Sequence, residues 1–249
     1  MNKAYFIFSF LMFWLAQMSY GQTRSELENS LSELSEWKYT DETDIWNILV
    51  HTSELLTSCI ESGVINGSDS LGNLEVTQSA DGLLKVYTFA YHSGGTRGSV
   101  NNSVIQFIKS DGSYEIVGSG KEMSFYQIEK LPSSNDGLYL LLGVEKCSSR
   151  MYQSLAWVID VSSDSINTNY NGFQGGFSSV SYYDDVYSGD HSCIACMDYD
   201  INRNELVFGE MGEDDFMEGY LTEKALLDKR SYKNLEFDAE LKQFRIKHF

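Results

Sequence analysis

Leu27, Leu31 and Leu34 recur at spacings of four and three residues, the repeat of one apolar face on a helix. Ser25 stands ahead of them as a candidate N-cap, with Glu28 three residues on, the reciprocal pairing of a capping box. A second apolar face follows at Ile45, Ile48, Leu49, Leu55, Leu56 and Cys59. Thr40 or Asp41 is placed to cap it, and Gly63 to end it in a left-handed conformation. The spacing predicts two helices joined near Trp37 to Thr40, whose apolar faces cover a β domain or one of its open edges.

After Gly67 the period falls to two. Leu84, Val86 and Ala90 alternate with Lys85, Tyr87, Phe89 and Tyr91, as in a strand with two distinct faces. Turn signals then punctuate the chain at Asp81-Gly82, Asp111-Gly112, Asp136-Gly137, Asp164-Ser165 and Asn202 to Asn204. Asp-Gly tolerates the positive φ of tight hairpins. Pro132, the single proline, falls at a strand end, where its missing N–H does little harm.

The punctuation repeats. Leu74 to Ser119 and Phe125 to Phe173 each read as four strands around a glycine- or serine-rich loop, with corresponding turns about 55 residues apart. A third, less regular unit has strands near Ser179 to Tyr183, Cys193 to Tyr199 and Glu205 to Gly209. Its tail alternates at Leu235, Phe237, Leu241, Phe244 and Ile246. The expected fold is mainly β with an N-terminal helical segment (α+β), built from antiparallel β-meander repeats, propeller-like or sandwich. Three units are few for a closed propeller.

The first residues add a compartment. Lys3 precedes an apolar run from Ala4 to Ala16, then Ser19 and Gly21 stand at the −3 and −1 positions of a cleavage site. The run is shorter than the roughly 20 residues a spanning helix needs. Residues 1–21 are therefore expected to be a signal peptide, followed by a helical segment over 22–66 and a β-meander domain over 67–249. The expected location is periplasmic or extracellular, without membrane insertion after cleavage. A formal net charge of −18 opposes nucleic acid, because like charges raise the encounter barrier.

Several segments, namely Tyr87-Thr88-Phe89 with Gly94-Gly95-Thr96, Val104-Ile105-Gln106-Phe107, Leu140-Leu141-Leu142-Gly143 and Asp198-Tyr199-Asp200, carry a resemblance. In these the chain resembles exported β-rich proteins of Bacteroidetes-type bacteria. The resemblance implies export and a β fold, and lends no activity to any residue.

Chemistry has few candidates. Cys193 and Cys196 form a C-x-x-C pair two residues after His191, a spacing seen in zinc sites and in redox motifs. On a strand, residues three apart project to opposite faces. The favoured reading is therefore buried or disulfide-forming cysteines, drawn from Cys59, Cys147, Cys193 and Cys196, in an oxidising compartment. Asp198, Asp200, Asn202 and Asn204 begin like a calcium loop, but Arg203 and Gly209 replace its glycine and bidentate glutamate. A polar hairpin turn explains the run without metal.

Glu210, Glu213, Asp214, Asp215 and Glu218 read as a solvated acidic loop. Gly94-Gly95-Thr96-Arg97-Gly98 lacks the helix and Lys-Ser/Thr pair of a phosphate loop and reads as a wide loop, with His92 just before it. Tyr182, Tyr183, Asp184 and Tyr187 are the candidate ligand-facing residues, with Asp185 and Asp190 nearby for carboxylate chemistry on a sugar. No motif implies a cofactor. The reading is a non-enzymatic exported binding protein for a glycan, peptide or protein. The alternatives are a glycan-acting hydrolase using carboxylates and an inhibitor acting through an acidic surface.

Overall fold

Leu27, Leu31 and Leu34 do lie on one helix, and it packs beside a second over the outer face of a β-sheet. The computed structural model describes residues 23–38, 44–66, 71–94, 97–133, 137–149, 151–185, 197–208, 216–218 and 234–246, with the side chains of 94, 184, 185 and 216–218 left aside. The expected signal peptide lies outside these residues. Helix α1 covers residues 23–36, so Ser25 sits inside it rather than at its cap. Helix α2 is Ile45–Glu61, capped by Asp44, whose carboxylate accepts the Trp46 N–H at 3.0 Å. Thr40 and Asp41, expected as caps, fall outside the described residues.

Gly63 takes φ +67° and ends α2 as expected. Val64 N–H donates to Cys59 C=O at 2.9 Å and Gly63 N–H to Ile60 C=O at 3.0 Å, the two bonds of a Schellman motif. Where the helices touch, Thr52 gives its hydroxyl proton to Ile48 C=O, so the buried Ser30 hydroxyl donates to Thr52 Oγ1 at 2.6 Å.

Three antiparallel sheets follow. The first holds β1 (Glu75–Gln78), β2 (Leu84–Gly94), β3 (Gly98–Ile108) and β4 (Tyr114–Gly118), in chain order. The second holds β5 (Ser124–Lys130), β6 (Leu138–Lys146), β7 (Met151–Asp160) and β8 (Ser179–Asp185), again in order. The third contains β9 (Met197–Asp200), β10 (Glu205–Phe208), β12 (Asn234–Asp238) and β13 (Gln243–Ile246), arranged β13-β12-β10-β9. Between them in sequence, β11 (Phe216–Glu218) pairs with β8 at the edge of the second sheet.

Three apolar cores order these pieces into layers. Leu27, Leu31, Leu56 and Ile60 of the helices meet Tyr87, Phe89 and Val104 on one face of the first sheet. The other face, with Val86 and Ile105, meets Tyr139, Leu141 and Trp157 of the second sheet. The second sheet's far face, with Leu140, Leu142 and Val158, meets Leu206, Leu235 and Phe244 of the third. Strand β6 therefore has no solvated face. Its residues 138–143 are all buried, which is why Leu-Tyr-Leu-Leu-Leu-Gly reads as a continuous apolar run. The expected antiparallel meanders are borne out, stacked as layers, and no barrel closes among the described residues.

Differences are local. The first meander matches its expected span, but the fourth strand of the second is β8, beyond Phe173. The intervening stretch forms turns with short bridges, Asp160 to Asn167 and Phe173 to Phe177, and a parallel bridge from Phe173 to Phe244. Gly82 and Gly112 use the positive φ expected of Asp-Gly turns, at +72° and +82°. Gly137 serves another need: a Cβ there would lie 2.4 Å from the Ser162 nitrogen. At the end of the β2–β3 ladder Gly94 pairs with Gly98, so the strands run closer together there than the expected wide loop implies.

Candidate functional site

The residues of α2 that turn away from the core form one stripe along the helix. At its N-terminal end this stripe is apolar: the Trp46 indole is 59% exposed and Val50, one turn on, is 56% exposed. Leu49 lies between them, nearly buried. These side chains open a groove of about 540 Å³ between α2 and Asn102 of β3. Further along, Ser53, Glu54, Thr57, Ser58 and Glu61 join a lining whose surface stays mostly apolar. The two carboxylates are two helical turns apart, about 10 Å along the axis.

The groove is held from beneath. Asn102 Nδ2 donates to Ser53 Oγ at 3.1 Å, tying α2 to β3. Ser53 in turn gives its proton to Leu49 C=O and Thr57 gives its own to Ser53 C=O, both at 2.9 Å. The indole of Trp46 leans on the ring of Tyr91 at 6.5 Å, tilted by 57°. Tyr91 belongs to β2 and is buried, so the exposed tryptophan is braced on a rigid strand.

Behind Tyr91 lies a charged cluster at the β2–β3 hairpin end. Arg97 pairs with Glu122 at 2.9 Å and with Glu145, and its Nε donates to Lys146 C=O at 3.1 Å. Burial pushes the Glu145 carboxyl above its ordinary range, outweighing the nearby Arg97 charge. Burial alone pushes the guanidinium of Arg97 down, but Glu145 and Glu122 more than reverse this. The cluster thus pins the first sheet to the second.

Cysteine chemistry is muted. Cys59 and Cys147 are free thiols: that of Cys59 faces Thr23 C=O of α1 at 3.8 Å, and that of Cys147 faces Gln153 Oε1 of β7 at 3.9 Å. Cys59 is fully buried on the inner face of α2, and burial raises its thiol pKa. The thiol of Cys147 is pushed up to about 11 by burial and by Glu145. Neither presents a thiolate at neutral pH. Cys193, Cys196 and His191 lie outside the described residues, as do Tyr187 and Asp190.

Tyr182 corrects the expected ligand face. It is 1% exposed and packs in the core between the second and third sheets, because the alternation of β8 sends Val180 and Tyr182 inward together. Tyr183 projects to the opposite face, half-buried, in register with Gln153. Of Asp184 only the backbone is described, paired with Tyr152. The expected aromatic platform is therefore split across β8.

The Asp198, Asp200, Asn202 and Asn204 run forms the β9–β10 hairpin. Asp200 accepts the Asn202 and Arg203 N–H groups at 3.0 and 3.3 Å and pairs with the Arg203 guanidinium at 3.3 Å. Asp198 accepts the Tyr199 N–H at 2.8 Å, and Asn204 takes φ +55°. These oxygens serve the turn. Among the described residues, no group of three or more His, Cys, Asp or Glu is gathered for a metal. The acidic stretch from Glu210 to Asp215 is outside them.

The α2 groove was not anticipated. Its signal was Trp46 and Val50, spaced by four and both off the inner stripe of Ile48, Leu49, Leu56 and Cys59. No helix among the described residues is long and apolar enough to cross a membrane. No protein family, curated protein or solved structure matches the chain.

Proposed function

We propose that this chain is an exported, non-catalytic binding protein that takes its partner in the α2 groove, with the stacked sheets as a rigid mount. The exposed Trp46 indole, braced by Tyr91 beside exposed Val50, carries this reading. A tryptophan leaves roughly 150–250 Å² of surface to bury, and such residues dominate interface energies. Covering one is worth about 2 kcal/mol at an area coefficient of roughly 25 cal/mol/Å² when about half its surface is open. What sets Trp46 apart from other exposed apolar side chains such as Ile201 and Leu241 is that it sits beside Val50 on the wall of a groove.

The groove's chemistry favours binding over hydrolysis. Its two carboxylates, Glu54 and Glu61, sit on exposed flexible side chains two helical turns apart, with nothing among the described residues to fix them in the paired geometry that glycosidic cleavage uses. Glu122 and Glu145 are closer companions, but both are tied to Arg97. Export rests on the basic and apolar N-terminal pattern, and the strong acidity keeps such a protein soluble.

The test expresses the full-length chain in a Gram-negative host and titrates the recovered protein against panels of glycans and peptides. Protein found outside the cytoplasm should begin at Gln22, and at least one panel member should bind, with Trp46→Ala weakening it about thirtyfold. Retention in the cytoplasm with the first residues intact removes the export half. Binding that ignores Trp46→Ala removes the groove.

A further inference from the structure

The geometry points to a cationic peptide segment of another protein as the occupant of the α2 groove. An apolar side chain of that segment lies against Trp46 and Val50, and Lys or Arg side chains meet Glu54 and Glu61. The inference rests on the binding reading above and adds the chemistry of the partner.

Charge is the first argument. Glu54 and Glu61 line the groove, both exposed. Glu61 ends α2, whose last turn holds no basic residue. The backbone dipole contributes roughly half a negative charge at that end. Among the described residues, nothing basic lines the groove to offset these charges. The chain as a whole, at −18, draws cations toward it and speeds their encounter.

Hydrogen-bond polarity is the second argument. The Ser53 and Thr57 hydroxyl protons already go to carbonyls one turn back, and the Asn102 amide donates to Ser53. What remains toward the groove is two carboxylates and hydroxyl lone pairs as acceptors, beside the Ser58 hydroxyl and the Trp46 indole N–H as donors. A sugar ring asks its site for donors as well as acceptors. Ammonium and guanidinium groups only donate. Two carboxylates with no basic neighbour among the described lining residues therefore suit a cation, and their charge repels an anionic lipid surface.

Spacing makes the occupant specific. From the Trp46–Val50 pair, Glu54 is about 9 Å along the helix and Glu61 about 20 Å. An extended segment rising roughly 3.3 Å per residue keeps every second side chain on one face, so basic residues about two and six positions after its apolar anchor reach toward Glu54 and Glu61. The groove's volume of about 540 Å³ admits side chains and a short stretch of backbone rather than a folded domain.

The experiment uses fluorescence anisotropy of a labelled synthetic peptide. It carries one Leu anchor with Lys two and six residues later in a Gly/Ser background, and is titrated with the mature protein. The same peptide with Glu for Lys, one with Ser for Leu, a neutral oligosaccharide panel and anionic vesicles are the other arms. Expected is micromolar binding of the first peptide alone, weakening about tenfold from 50 to 300 mM salt. Glu54→Gln and Glu61→Gln should each weaken it about threefold, while Glu240→Gln, at an exposed turn between β12 and β13, should not change it.

Equal binding of the Lys and Glu peptides overturns the inference, as does a Glu54→Gln/Glu61→Gln variant that binds like the parent. Trp46-dependent binding of an oligosaccharide or vesicle alone overturns it while leaving the binding reading in place. If Trp46→Ala alters no arm, both fall.

Discussion

Two polar clamps join the first sheet to the second, one at each end of β2, and they are built on opposite terms. At the β1–β2 turn, Asp81 accepts the Tyr139 hydroxyl at 2.7 Å, the Ser79 hydroxyl at 2.6 Å and the Leu83 N–H at 3.2 Å, with Lys130 at 3.5 Å. Burial pushes this carboxyl up, but the hydrogen bonds and Lys130 together win and hold it below its ordinary value. At the β2–β3 turn, Glu145 has Arg97 as its partner, and burial wins instead. A carboxylate fed by several neutral donors keeps its charge comfortably; one that leans on a single shared cation does not.

Removing Arg97 tests the difference most sharply. Arg97→Met leaves Glu145, whose side chain is 15% exposed, charged and unpaired. A fully buried pair broken this way costs about 3–5 kcal/mol. Partial exposure of Arg97 reduces the expected loss to about 2 kcal/mol, read by chemical denaturation. Adding Glu145→Leu should recover most of it, since an apolar replacement of both partners is often neutral. A single variant within about 0.5 kcal/mol of the parent would show the pair to be idle.

Tyr139→Phe, at the other clamp, removes one donor of several. The expected loss is about 1.5 kcal/mol, the lower end for hydrogen bonds to charged groups, because Asp81 retains Ser79, Leu83 and Lys130. A loss larger than that of Arg97→Met would reverse the comparison.

The smallest effect is in the pH profile, where the clamps act with opposite sign. Asp81 is lowered from 3.8, so its contribution is present above that value and fades as pH falls through its folded pKa. Glu145 is raised from 4.5, so its contribution is complete below 4.5 and fades as pH rises through its folded pKa. Asp81→Asn should flatten stability on the acid side of pH 3.8, and Glu145→Gln should flatten it just above pH 4.5. Both variants flattening the same limb would contradict the assignment.

Much of this architecture was legible from residue order. Two-residue alternation and Asp-Gly turns marked the first meander, and Gly63 marked the end of α2. What alternation cannot say is which face is wet. In β8 it separates Tyr182 from Tyr183 correctly, yet only the third sheet's position decides that Tyr182 is the buried one. Burial of both faces hid the pattern in β6. Ser25 resembled a cap, but a helix start depends on backbone geometry upstream of it, and Asp44 outcompeted Thr40 and Asp41 by sitting next to Ile45. The groove escaped because attention to a helix's core stripe passes over apolar residues on its other side.

The doubly covered β6 has a consequence for how the polypeptide comes together. Leu140 and Leu142 find their final neighbours only when Phe244 arrives, about a hundred residues later, to stack on Phe173 and edge against Phe237. Until then a newly made chain carries a sticky ribbon with nothing to shield it. Folding that waits on such distant partners is slow and prone to clumping. Escort by a chaperone through that interval is what this layer order asks of the cell.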